Sequence, residues 1–176
     1  MFTLIIGASA CGKSEYAERH VLTLGGNPVY IATMEPFGDE ARARIRKHQH
    51  ARAERGFQTI ERYVNLSAAD LPTDANVLLE DLGNLTANEL YRPDGGGGEA
   101  VLEGIQSLLR QSRHLTVVTN DVFSGGQDYQ GDTLRYLHIL AELNRALAER
   151  ADRVVEVVCG LPNVLKEGPG CGCYRP

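Results

Sequence analysis

A mainly parallel α/β sheet with helices on both faces is predicted for this 176-residue chain by three observations. Short, β-branched apolar segments recur along it, as strands buried on both faces require. Longer amphipathic runs alternate with them, a pattern that builds right-handed crossovers around a parallel sheet. The first segment also leads directly into a glycine-bearing loop, GASACGKS, that opens a helix-forming run.

The strand FTLII (2–6) comes first, and the loop after it reads G-x-x-x-x-G-K-S from Gly7 to Ser14. A loop between strand and helix turns backbone N–H groups around phosphate oxygens, while the helix N-terminus adds partial positive charge. Gly7 and Gly12 let the backbone come close, with Ala8, Ser9, Ala10 and Cys11 completing the cradle. Lys13 is placed to reach the outer phosphates, and the Ser14 hydroxyl to complete the shell of a Mg²⁺ ion. The helix SEYAERHVL follows. Because strand and helix flank the motif, a P-loop nucleotide-binding fold is favoured over a solvated glycine turn.

VYIAT (29–33) is the next strand. Beyond it, ARIRKHQHARAERGF (43–57) reads as helical and gathers Arg44, Arg46, Lys47, Arg52 and Arg55 around His48 and His50, with Arg42 just before. From spacing alone this is a solvated basic face. Its chemical alternative is that an imidazole among fixed cations stays neutral at pH 7, so its lone pair attacks phosphorus. Nearby guanidinium groups would then neutralise a departing pyrophosphate. FQTIE (57–61) reads as a further strand at an edge, and VLLE (77–80) ends on Glu80. A carboxylate there holds Mg²⁺ through water or polarises the attacking group, with Asp81 competing for the role.

After VLLEDLGNLTANELY comes a polar loop, RPDGGGG, and then the helix AVLEGIQSLLRQ, with Val101, Leu102, Ile105, Leu108 and Leu109 at helical spacing. The strand LTVVT (115–119) leads through the loop SGGQDYQGD into TLRYLHILAELNRALAER, where Leu134, Leu137, Leu140, Leu143 and Leu147 share a stripe. Both stripes are assigned to the core. VVEVV (154–158) is the fifth strand of the series. The alternation resumes beyond each glycine loop, so neither loop is a domain boundary; one P-loop nucleotide-binding catalytic domain over residues 1–166 and a disordered tail over 167–176 are expected.

The net charge of −5 argues against a nonspecific polyanion binder, so nucleic acid is not an expected partner. No apolar run approaches the ~18 residues of a membrane span, and Met1 opens a β-like segment without a basic leader. A soluble, cytoplasmic chain is expected. Cys11, Cys159, Cys171 and Cys173 are too few and too unevenly placed for a disulfide framework. The C-x-C tail lacks a second ligand pair for a metal.

The ordered motifs GASACGKSEYAE, YIATMEPFGDE, RIRKHQHARAERGFQTIE, VLLEDLGNLTANE, VVTNDVF and LNRALAERADRVVEVVCGLPNVLK are similar to those of a known family. From residue 2 to about Lys166 the chain resembles the adenosylcobinamide kinase / adenosylcobinamide-phosphate guanylyltransferase family of cobalamin biosynthesis. The resemblance implies a bifunctional enzyme. It phosphorylates adenosylcobinamide with ATP or GTP, then transfers GMP from GTP through a histidine adduct, giving adenosyl-GDP-cobinamide. On the motif R-I-x-x-H-x-x-x-R the adduct falls on His48, flanked by Arg44 and Arg52, while His50 is off register and a surface residue for that purpose. The family's nucleotide contacts fall on Ala32, Thr33 and Met34, on Gln49, His50, Ala51 and Arg52, on Glu61 and on Glu80. A homo-oligomer, a trimer with sites at subunit contacts, is also implied. Where the family has glycine, serine, cysteine and glutamate, this chain has Ala8, Cys11, Asp81 and Asp121; the two loop substitutes are small enough to keep the backbone cradle. Two other readings stay open: a monofunctional P-loop kinase of a small alcohol, and a noncatalytic GTP-sensing module.

Overall fold

The computed structural model describes residues 1–36, 49–50, 52–122 and 128–168. Its strands are β1 (Phe2–Gly7), β2 (Asn27–Ala32), β3 (Gln58–Glu61), β4 (Ala75–Glu80), β5 (His114–Asn120), β6 (Arg153–Val158) and β7 (Leu161–Glu167). They form one sheet in the order β3-β2-β4-β5-β1-β6-β7, parallel throughout except for the last pair. The strand that carries the phosphate loop is therefore interior, flanked by β5 and β6.

Successive side chains of a strand point to opposite faces. In β1 this sends Phe2 and Leu4 into one core and Ile5 into another. The larger core is closed by α2 (Leu82–Tyr91), α3 (Gly97–Gln111) and α4 (Gly131–Arg150), through Leu82, Leu85, Val101, Ile105, Leu108, Leu140, Leu143 and Leu147. The smaller is closed by α1 (Lys13–Thr23), whose Ala17 and Val21 pack on Ile5, Leu78, Val118 and Val155. Burial on both faces explains the near-continuous apolar strand sequences.

Three features differ from the sequence expectation. The helix α2 spans LGNLTANELY, which carries no helical signal of its own, since Gly83, Asn84 and Thr86 are weak helix formers. Tertiary burial of Leu82 and Leu85 and an N-cap by Asp81, whose Oδ1 accepts from the Asn84 N–H at 2.6 Å, hold it instead. The strand β7 likewise has no apolar signature in the sequence: it is an exposed antiparallel edge with no buried face, and Pro162 is tolerated there. Its last residue, Glu167, belongs to the segment assigned to the tail, and the Gly168 N–H donates to the Asp152 carbonyl at 2.7 Å. Finally, Leu134 leaves the core stripe, being 41% exposed. A 20-residue helix outruns a six-residue strand, so the first turns of α4 overhang the sheet.

The helix α3 crosses the 3-10 turn Leu66–Ala68 at Gly104, where a Cβ would lie 2.6 Å from the Leu66 Cβ. Helix propensity favours alanine there by about 1 kcal/mol, but overpacking a buried crossing costs about 1–3 kcal/mol. Gly104→Ala is therefore expected to lower the unfolding free energy in a urea titration; a stabilised variant would show that Leu66 yields freely.

Candidate active site

The phosphate loop leaves β1 at the C-terminal edge of the sheet, where α/β proteins bind ligands. Gly12 adopts φ 91° as the N-cap of α1, a conformation that favours glycine, and Ala10 also lies in the left-handed region at φ 57°. A Cβ on Gly7 would come within 2.7 Å of the Val157 carbonyl oxygen and 2.6 Å of Cys11 Sγ, so the loop rests directly on β6. The hairpin turn after β6 supports it as well, the Gly160 N–H donating to the Cys11 carbonyl at 2.7 Å. Ala8, Ser9 and Ala10 form the exposed tip. Lys13 is buried and folds back over the loop, Nζ donating to the Ala8 carbonyl at 3.1 Å.

At the start of α1 the Ser14 hydroxyl donates to Glu80 Oε1 at 2.5 Å. Glu80 closes β4, two strands away from β1, so the sheet order brings these sequence-distant groups together. The other oxygen, Oε2, is buried without a hydrogen-bond partner. Burial pushes the Glu80 carboxyl up to about 7, against the lowering effect of the Ser14 bond; the neighbouring Asp81 raises it further and Lys13 lowers it. Burial also raises Asp81, although the Asn84 N–H and the Asn120 amide, which donates to Oδ2 at 3.2 Å, favour its ionised form.

A carboxyl raised on folding contributes stability that is full below its unfolded pKa and is lost as pH rises through the folded value. Wild-type stability relative to Glu80→Gln is therefore expected to fall between about pH 5 and 8, by on the order of 1–3 kcal/mol. Urea titrations of both proteins at the two pH values measure it. Parallel pH profiles would remove Glu80 as the titrating group.

The register sets Glu61, Ala32 and Glu80 in one row across β3, β2 and β4. Ala32, Met34, Glu61 and Glu80 line a cleft of ≈ 490 Å³ together with Ser14, Glu15, Glu18, Tyr30, Arg52, Arg55, Asp81 and Asn84. Residues 49–50 and 52–54 are helical and approach this cleft. Gln49 Nε2 donates to Glu61 Oε1, Arg55 pairs with Glu18 at 2.6 Å, and the buried Arg52 guanidinium lies 3.7 Å from the centre of the Tyr30 ring. His50 is highly exposed, its Nε2 3.5 Å from Glu54, and it is not among the residues lining the cleft. Thr33 is fully buried, and its hydroxyl and N–H are engaged with the backbone of Glu80 and Asp81. Its side chain thus holds the Glu80 strand end and does not face the cleft.

His48, Ala51 and Arg44 lie outside the described residues, as do Cys171 and Cys173. Asp121 follows β5, its N–H donating to the Gly7 carbonyl at 3.0 Å. Tyr30, Asn84, Glu15 and Glu18 are cleft residues that sequence reasoning did not single out. Tyr30 reads as one more core residue of an apolar strand, and only the strand order shows that it underlies Arg52. Among the described residues no group of three or more His, Cys, Asp or Glu side chains is arranged for a metal, and no helix is long and apolar enough to cross a membrane.

The family described as cobinamide kinase / cobinamide phosphate guanyltransferase matches residues 3–165. The bifunctional adenosylcobalamin biosynthesis protein CobP of Pseudomonas aeruginosa is 33% identical over 177 residues, covering 96% of this chain and 99% of that protein. The bifunctional adenosylcobalamin biosynthesis protein CobU of Escherichia coli (strain K12) is 31% identical over 180 residues, covering 92% and 97%. Among solved structures, the flagellar accessory protein FlaH of Methanocaldococcus jannaschii superposes with a TM-score of 0.55 at 12% identity, over 99% of this chain and 81% of that one. At that identity the likeness is one of fold.

Proposed function

Because this chain belongs to the cobinamide kinase / cobinamide phosphate guanyltransferase family, we propose that it carries out two successive transfers on adenosylcobinamide. In the first, the terminal phosphoryl group of ATP or GTP passes to the aminopropanol hydroxyl and a nucleoside diphosphate leaves. In the second, an imidazole nitrogen of His48 attacks the α-phosphorus of GTP and pyrophosphate departs. The phosphate of adenosylcobinamide phosphate then attacks the guanylyl-histidine, freeing the imidazole and giving adenosyl-GDP-cobinamide. The observation that carries this reading is the meeting of Ser14 and Glu80 beneath the phosphate loop, in a cleft shared with Arg52 and Glu61.

The roles follow from the chemistry of each group. The loop Gly7 to Ser14 binds the triphosphate, and Lys13 leaves the Ala8 carbonyl for the outer phosphates. Glu80 holds or accepts a proton beside the bound nucleotide, which its raised pKa suits near neutrality. Arg52 faces the phosphates from the opposite wall, while Ala32, Met34 and Glu61 contact the nucleotide along the rim. Gln49 and His50 continue the chain from His48, and Gln49 reaches Glu61.

The oxygens of Ser14 and Glu80 suit Mg²⁺, a hard cation that takes few protein ligands and leaves the rest to phosphate and water. The unpartnered, buried Glu80 Oε2 is an acceptor consistent with that use. When bound, Mg²⁺ neutralises charge on the phosphate oxygens.

Incubation with adenosylcobinamide and excess GTP, followed by mass spectrometry, tests the reading. Over multiple turnovers the phosphate ester is expected first and the GDP derivative second. Accumulation of the phosphate ester alone would favour a monofunctional kinase. GTP binding without turnover of any substrate would favour a sensing module.

A further inference from the structure

The two carboxylates that frame the cleft, Glu61 and Glu80, end strands separated by β2, and each lies at the last position of its ladder with β2. Beyond those positions one further backbone bond holds each side, the Arg62 N–H donating to the Ala32 carbonyl at 3.0 Å and the Thr33 N–H to the Glu80 carbonyl at 3.1 Å; past these the strand ends depend on side chains to keep from opening locally. A single side chain on α2 spans the gap. Asn88 Nδ2 donates to the Thr33 carbonyl at 2.8 Å and to the Tyr63 carbonyl at 3.0 Å, using both amide hydrogens.

Each bond leads to one wall of the cleft. The Thr33 N–H donates to the Glu80 carbonyl at 3.1 Å, and Thr33 Oγ1 accepts from the Asp81 N–H at 2.9 Å. Thr33 is fully buried, so this link is rigidly packed. On the other side the Tyr63 hydroxyl donates to Glu61 Oε2 at 2.8 Å, and Glu61 Oε1 accepts from Gln49. One amide therefore connects the Ser14–Glu80 end of the site to the Glu61–Gln49 rim.

We propose that Asn88 is a positioning residue that sets the spacing between these two walls. It touches no reacting atom. It rests on the two-step reading only for the effect on guanylyl transfer, since the Thr33 arm acts on Glu80 and hence on phosphorylation. A carboxylate in its place would face two carbonyl oxygens without a donor, and alanine would leave both carbonyls without this donor.

The test compares Asn88→Ala and Asn88→Asp with wild type in steady-state phosphorylation of adenosylcobinamide and in the rate of covalent labelling by GTP. Misplacement of reacting groups by about an ångström costs on the order of a hundredfold, so kcat for both steps is expected to fall tenfold to a hundredfold. The KM for nucleotide should stay within about threefold, because the phosphate loop is untouched. A merely structural role would instead lower the active fraction at unchanged kcat per folded molecule. If neither Asn88 variant folds, Tyr63→Phe leaves α2 and its amide in place and cuts only the Glu61 arm; it should slow labelling more than phosphorylation. A folded Asn88 variant with wild-type kcat in phosphorylation, or Tyr63→Phe with wild-type labelling, overturns the proposal. Failure of wild type to become labelled would count against the two-step reading, and Asn88 would then be judged on phosphorylation alone.

Discussion

GTP labelled at the α-phosphate is expected to leave its label on the polypeptide after denaturation, whereas GTP labelled at the γ-phosphate leaves none. Attack at the α-phosphorus retains GMP and expels pyrophosphate, so the two labels must part company. The bond should be acid-labile and alkali-stable, as phosphoramidates are. His48→Ala should lose the label and the guanylyl transfer altogether, while phosphorylation of adenosylcobinamide persists, since the phosphate loop is intact. His50→Ala should keep the label: His50 is exposed, and its neighbour is Glu54, outside the cleft lining. Labelling that survives in His48→Ala and vanishes in His50→Ala would place the nucleophile two residues on. Absence of label in every form, with phosphorylation intact, would leave only the kinase reaction.

Lys13→Ala is expected to abolish both reactions, because each begins with the same bound triphosphate. Loss of a preorganised charge at phosphate in a water-poor site costs on the order of 10²–10³-fold in rate. Affinity for a nonhydrolysable GTP analogue, measured by calorimetry, should fall with it. Lys13 is buried and bonded to the Ala8 carbonyl, so a melting curve must accompany the titration to exclude a misfolded loop. Lys13→Arg is not a rescue, since a planar fork does not replace a compact ammonium in a closely wrapped loop. Wild-type affinity in a folded Lys13→Ala protein would show that the loop binds phosphate through its backbone alone.

How much of this was legible beforehand varies by residue. The strand FTLII, the loop Gly7–Ser14 and the helix after it occupy the positions read from the sequence, because local chemistry dictates each: an apolar run, glycines at a tight approach, and a helix-forming stretch. Glu80 is marked by its place at a strand end, which is a one-dimensional signal. Its raised pKa and its bond to Ser14 were not readable, since both depend on what β5 and α1 bring alongside β4. The helix α2 and strand β7 are not legible in the sequence because neither advertises itself locally; one is held by a cap and buried leucines, the other by pairing along a single edge.

The sequence by itself determined the periodicities, and so the α/β plan, the phosphate-binding loop and the family motifs that name the chemistry. Those signals lie within a few residues of one another, where helix and strand geometry make spacing equivalent to position. Tertiary structure alone decided that Glu61 and Glu80 stand in one row, that Thr33 turns inward to hold the Glu80 strand end, that Arg52 rests on Tyr30, and that Asn88 bridges two walls of the cleft. The reason is that strand order, 3-2-4-5-1-6-7, is not a property of any segment. It is set by which crossovers bury the most apolar surface on both faces of the sheet, and contacts between residues far apart in the chain follow only once that choice is made.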